Sequence, residues 1–264
     1  MMNRSFKEFK LQHRSNKNQI IYNSKKTNND SEVLNLIDNF LTEKNSFIFE
    51  SVEKGKIKGR YTIFGKNPDK IWEFNNNNSF LIKNKKKIKL KQKPQILIEN
   101  IIEDFKFKIP SGLPSISSLI SGYFSYDTIR YIENIPNTCK DDLKVPDVRL
   151  LRPRTLVIHD NLKKKIFYII NVFKDEKILN YSKKYAEIKS ELTNLYTQSL
   201  TVKVNEDIFK KLNKVNVKSN TSKNKFLSMV NKAKKYIKIG DIFQVVLSQR
   251  FETKLTKKPL DIYK

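Results

Sequence analysis

The sequence predicts an α+β fold in which mixed or antiparallel sheets are flanked by helices. Three patterns carry that expectation. Short apolar runs come in pairs separated by turn residues, at 46–51 with 60–65, at 80–90, and at 155–159 with 165–171, as antiparallel hairpins do. Between them lie stretches with apolar residues at helical spacing, such as Ile98, Ile101 and Ile102 after Pro94. Near the C-terminal end, a helical stripe closes on Gly240 and passes into the apolar run 242–247.

Composition narrows the class. A chain of 264 residues can bury a sizeable core in one large or two ordinary domains. Cys139 is the single cysteine, so no internal disulfide framework exists and a reducing cytoplasm fits. Met1-Met2-Asn3 opens no apolar leader, and no stretch approaches ~18 apolar residues, so a soluble cytoplasmic protein without a membrane partner is expected. The formal charge of +26 could signal nucleic acid. Lysine, however, is spread through the chain beside abundant Asn and Ile, as an AT-rich coding sequence would produce. Its densest cluster, 83–93, reads as the solvated face of a hairpin turning at Asn84-Lys85. No aromatic-interleaved basic motif or zinc-finger spacing appears, and no nucleic-acid partner is expected.

In chain order, residues 1–30 read as a poorly ordered basic arm with one short strand at 19–22. Residues 31–196 form the first domain. Ser31 caps a helix carrying Val33, Leu34, Ile37, Phe40 and Leu41. The strands 46–51 and 60–65 follow, with Gly55 and Gly59 in the loop between them, and Trp72 and Phe74 continue the sheet. A helix over 95–105 turns Ile98, Ile101, Ile102 and Phe105 inward. Residues 109–114 are a loop, 122–126 a strand, and Asp127 caps a short helix over 128–133. After the hairpin 155–171, Asp175 caps a helix to about residue 195. His13 and His159 are the only histidines. His159, at a strand end beside a turn, reads as a surface or half-buried residue and not a metal ligand. Residues 197–221 are a polar linker with one helical piece at 208–212, and 222–264 begin a second domain.

That second domain holds the residue of most chemical interest. Phe226, Leu227, Val230, Ala233 and Ile237 place one apolar stripe on a helix over 222–238. The run 242–247 then reads as a strand covered on both faces. Gln244 shares a face with Ile242 and Val246. A buried amide without partners costs roughly 1–3 kcal/mol. Gln244 therefore either meets a local partner, as a structural glutamine, or lines a polar pocket.

The motifs here carry a resemblance. "AKKYIKIGDIFQVVLSQRF" resembles the segment that opens the chorismate-binding domain of anthranilate synthase component I. "SFIFESVEKGKIKGRYTIFGKNP" and "GYFSYDTIRYIENIP" are similar to that family's N-terminal signatures, although Ser117 and Ser118 stand where family members often have glycines. The resemblance covers residues 31–264 and corresponds to roughly the first half of a family member. The expected fold is therefore that of anthranilate synthase component I, with the chorismate-binding domain incomplete and the sequence a fragment.

The resemblance implies a function. Ammonia, delivered by a glutamine amidotransferase subunit (component II), adds to chorismate, and pyruvate is then lost to leave anthranilate. Related enzymes that add water carry a lysine base at the position of Gln244. An amide cannot be a base, and ammonia needs none, so Gln244 fits an aminating pocket. Glu50 and Ser51 match the pair that binds the inhibitor L-tryptophan; a carboxylate suits its α-ammonium and a hydroxyl suits either polar group. The family's Mg²⁺ ligands and acid/base groups lie later in the chain, so no metal site is expected here and the polypeptide by itself is expected to be inactive. Aminodeoxychorismate synthase component I, which shares the fold and the Gln, is the alternative enzyme. Gln244 disfavours isochorismate or salicylate synthase. A basic nucleic-acid-binding module is the alternative from another class.

Overall fold

The structure is a computed structural model that describes residues 2–27, 31–50, 59–138, 140–201, 216–255 and 259–263. It divides into two compact units, Met1–Lys203 and Val204–Lys264. The first unit opens with helix α1 (Phe6–Arg14) and strand β1 (Gln19–Lys26). Then come α2 (Ser31–Phe40), β2 (Phe47–Phe49), β3 (Tyr61–Asn75), β4 (Asn78–Lys83), β5 (Lys86–Leu90) and α3 (Pro94–Asp104). Short 3-10 turns at Ser115–Ser117 and Tyr126–Tyr131 bracket β6 (Ser121–Phe124), and β7 (Val148–Asp160), β8 (Lys165–Val172) and α4 (Tyr181–Leu200) complete the unit.

One sheet organises these elements, in the order β1-β8-β7-β3-β4-β5, with β2 added to β3 and β6 to β7. Every described pairing in it is antiparallel. The long strands β3 and β7 form its spine, and their register shifts between Pro68 and Lys70. Two apolar clusters lie on either side of that irregularity. Trp72, Phe74, Val148 and Leu150 pack with Leu97 and Ile101 of α3 and with Tyr131. Leu156 and Ile158 of β7 pack with Ile20, Phe167 and Ile169.

Local chemistry explains the turns and caps. Asn84 and Lys85 both take positive φ, the geometry of a two-residue hairpin whose twist matches its strands. Pro94 occupies the first turn of α3, where no amide donor is needed. The predicted hairpins at 80–90 and 155–171 are present in this sheet, and of the predicted strands 46–51 and 60–65 residues 47–49 pair with 63–65.

The arm expected at residues 1–30 is a correction. Ser5 and Glu8 form a reciprocal capping box that starts α1. Phe9 is fully buried, edge-on to Tyr181 at 6.0 Å and against Tyr185 at 5.7 Å, both from α4. β1 pairs with β8 over its whole length. The arm's apolar partners lie some 170 positions away in sequence, so local polarity concealed its order.

Smaller corrections follow from which helix face meets the sheet. In α2, Leu36 is buried and Leu34 exposed; the stripe from Val33 runs through 36, 37 and 40. In α3, Leu97 faces inward and Ile102 outward, because Leu97 and Ile101 share the face over Trp72. Asn180, not Asp175, caps α4, its side chain accepting from the Lys183 amide at 2.9 Å. His159 is buried, since β7 is flanked there by β3 and β8.

The second unit contains α5 (Lys223–Lys238), α6 (Pro259–Tyr263) and the two-residue strands β9 (Lys218–Ser219) and β10 (Phe251–Glu252), which pair with each other. Ser222 caps α5 by accepting from the Lys225 amide at 3.3 Å. At its other end Gly240 has φ +85°. The amides of Gly240 and Asp241 donate to the carbonyls of Ile237 and Tyr236, a Schellman motif. No described helix is long and apolar enough to cross a membrane. Residues 208–212, Gly55 and Cys139 lie outside the described residues.

Candidate ligand-binding site

The predicted site in the first unit lies where β2 ends. Phe49 is opposite Ile63 of β3, and Glu50 follows as an exposed residue. Ser51 lies outside the described residues. At the same end of the sheet Tyr61 is opposite Asp160. Arg60, just before β3, donates from Nε and Nη2 to the two Asp160 oxygens at 3.0 and 2.7 Å. That two-bond fork suits a planar guanidinium and a carboxylate. Asp160 Oδ1 also accepts from the amides of Leu162 at 3.1 Å and Lys163 at 3.0 Å, which fixes the β7–β8 turn.

Burial by itself would raise the Asp160 carboxyl. The Arg60 fork and the two turn amides outweigh it and hold the group below the usual carboxylate range. A cleft of about 290 Å³ opens beside this pair, walled by Arg60, Tyr61, Leu113, Pro114, Lys163 and Phe167. Gly112, at φ +87°, turns the loop that forms its far wall. Arg60 is committed to Asp160, whereas Lys163 makes no ion pair among the described residues and is available to an anionic group. Glu50 is not one of the cleft's walls.

A second charged cluster sits at the irregularity in β3. Arg152 donates to both Asp69 oxygens, at 2.8 Å from Nε, and to Asp175 at 2.9 Å. Its guanidinium lies 3.8 Å from the ring centre of Phe173. Lys70 also bonds Asp175. Burial would raise Asp175, but the Lys70 bond and the Arg152 charge and bond lower it to about 2. Neither this cluster nor the Arg60–Asp160 pair follows from sequence spacing. The partners stand about 100 positions apart for the pair and 83 for Arg152 with Asp69, and only the β3–β7 register joins them.

Gln244 is exposed, and the predicted strand 242–247 is not formed. The physical reason is that, among the described residues, the run has no neighbouring strand to complete its backbone bonding. The only described pairing of the second unit is β9 with β10, and Phe243 and Val246 are 100% and 82% exposed. Among the described residues no apolar cover or polar pocket surrounds the amide. α5 keeps its expected stripe but buries none of it. Among the described residues no group of three or more His, Cys, Asp or Glu could hold a metal.

An antiparallel sheet with flanking helices, followed by a capped helix and an apolar run, defines the class of protein. Residues 44–264 match the family of chorismate binding enzymes, and the chain belongs to that family. Its relatives are specific. The chain is 33% identical over 238 residues to anthranilate synthase component 1 of Acetivibrio thermocellus, which covers 88% of this chain and 48% of that protein. It is 27% identical over 266 residues to the Cereibacter sphaeroides protein of the same name, covering 98% and 53%. Its fold matches the crystal structure of anthranilate synthase component I from Streptococcus pneumoniae with a TM-score of 0.63 and 25% identity, over 84% of this chain and 47% of that one. The chain thus spans about half the length of the curated relatives it matches. Family membership rests on these matches and not on the placement of Gln244.

Proposed function

We propose that this chain is the regulatory and scaffold portion of an anthranilate synthase large subunit. The match of residues 44–264 to chorismate binding enzymes carries this reading, together with relatives that are anthranilate synthase component 1. The whole enzyme takes chorismate and ammonia to anthranilate and pyruvate, with ammonia supplied by a glutamine amidotransferase subunit, in the cytoplasm. Gln244 belongs to the pocket where ammonia attacks and serves as a neutral hydrogen-bonding group, since an amide takes up no proton there. Gln244 is exposed in the structure, and its place in that pocket rests on the match of its segment to the family.

Glu50 and Ser51 form part of the site for L-tryptophan. The exposed Glu50 carboxylate meets the ligand's α-ammonium, a charge-assisted hydrogen bond. Tryptophan inhibits by binding one arrangement of the enzyme more tightly than another. Mg²⁺ is proposed for the whole enzyme only. The described residues do not suit it, and no step is derived through it.

A chimaera tests the reading. Residues 1–264 are joined to the portion of the A. thermocellus protein that they do not match, and the product is expressed in a tryptophan auxotroph. Growth without tryptophan, with anthranilate fluorescence in the extract, is the expected outcome. Rescue of an aminobenzoate auxotroph instead would move the chain to aminodeoxychorismate synthase. Rescue of neither by a folded chimaera would overturn the proposal.

A further inference from the structure

Charge is distributed unevenly on this chain. Between Glu73 and Glu99 the sequence holds seven lysines, all from Lys83 to Lys93, and neither an acid nor an arginine. Five of them fall on the hairpin β4–β5 and Lys91 and Lys93 just after it, and β5 ends the sheet order. Lys83 stands directly opposite Lys86, an arrangement that destabilises a strand pair. Lys87 is neutralised by Glu73 at 2.8 Å. Lys85, Lys86, Lys89 and Lys91 have no acidic partner among the described residues. A lysine or two is enough to keep an edge strand from unwanted pairing. Seven is a larger field than that protection needs.

Among the described residues nothing pairs with the outer edge of β5. In a hairpin with a two-residue turn, the pair flanking the turn exchanges both hydrogen bonds. Lys83 and Lys86 are that pair, so Lys87 and Lys89 direct their N–H and C=O groups off the open edge.

We propose that the edge of β5 accepts an acidic polypeptide segment as an added strand. The outward groups of Lys87 and Lys89 supply the backbone bonds. Lysines on both faces of the ribbon meet acidic side chains of the incoming strand at cross-strand distance. A nucleic acid fits less well. The hairpin has no arginine for base edges, and the Lys87 ammonium lies 4.6 Å over the ring of Phe80, which removes the nearest stacking surface.

The test titrates the full chain at physiological salt with a peptide of about ten residues alternating Glu and Thr, a length that spans one strand. Its Lys–Thr counterpart and an oligo-dT of similar length serve as controls. The acidic peptide is expected to bind saturably and to slow hydrogen exchange at the Lys87 and Lys89 amides. Lys89→Pro, which removes an outward donor and leaves the bonds to β4, is expected to weaken binding about tenfold or more. Lys86→Glu with Lys89→Glu gives the same loss should the proline variant fail to fold by circular dichroism. Absence of binding, equal binding of oligo-dT, or unchanged exchange at the two amides overturns the proposal.

Discussion

Phe47 of β2 lies with its ring across Gly65 of β3, in the space a side chain at position 65 would occupy. The close approach lets β2 lie flat on the sheet and carries the chain on to Glu50. Gly65→Ala drives a methyl into that ring. Overpacking of this kind costs about 1–3 kcal/mol. Urea unfolding followed by Trp72, the single tryptophan, measures it. An unchanged midpoint contradicts the packing, and Phe47→Ala in the same background is expected to restore part of the loss.

Arg60→Ala leaves the buried Asp160 with only its two turn amides. Its carboxyl then rises toward the value burial would impose, and the β7–β8 turn loosens. The expected result is a lower melting temperature near neutral pH with a shallower loss of stability in acid, because the carboxyl is no longer held below its unfolded value. Arg60→Lys, which keeps the charge and loses the fork, falls between the variant and the parent. Parent-like behaviour of Arg60→Lys would show that the fork geometry contributes nothing.

Asp175 gives a pH prediction. Its carboxyl is held at about 2 in the folded chain, below the ordinary 3.8. A depressed carboxylate stabilises the fold above its unfolded pKa and loses that contribution as pH falls through its folded pKa. Stability is therefore expected to drop between about pH 4 and pH 2. Asp175→Asn should flatten the profile in that window. A variant as acid-sensitive as the parent would remove Asp175 from the account.

Glu50→Gln and Ser51→Ala test the inhibitor site. Each is expected to weaken tryptophan binding, measured by calorimetry, about tenfold, as loss of one bond to a charged group does. Circular dichroism of each variant separates loss of binding from loss of fold. Parent-like affinity in both variants would rule out the pair as ligands.

Phe243→Ser tests the exposed run. Phe243 is fully exposed, and a substitution at such a site usually stays within about 0.5 kcal/mol of the parent. A larger loss would mean that 242–247 packs against the chain after all.

Hairpins and helix ends were legible because their causes are local. Asn84-Lys85 supplies two positive-φ positions, Pro94 starts a helix, and Gly240 stops one, all within a few residues. Long-range causes were not legible. Phe9 finds its aromatic neighbours in α4, and nothing near Ser5 announces that. Arg60 and Asp160 meet only through the β3–β7 register. Asp175 has the composition of a cap and the position of an ion-pair partner, and the nearby Arg152 decides the matter. At Gln244 a strand-like run predicted a strand, but a strand also needs a neighbour.

The shift in pairing at Asp69 stands between the two apolar clusters of the sheet. It gives heat and denaturant a seam along which to work. The half holding Trp72 and Phe74 is expected to open separately from the half holding Leu156 and Ile158. Amides on either side of the seam would then report two protection levels within one continuous ladder, with Arg152 as the pin between them.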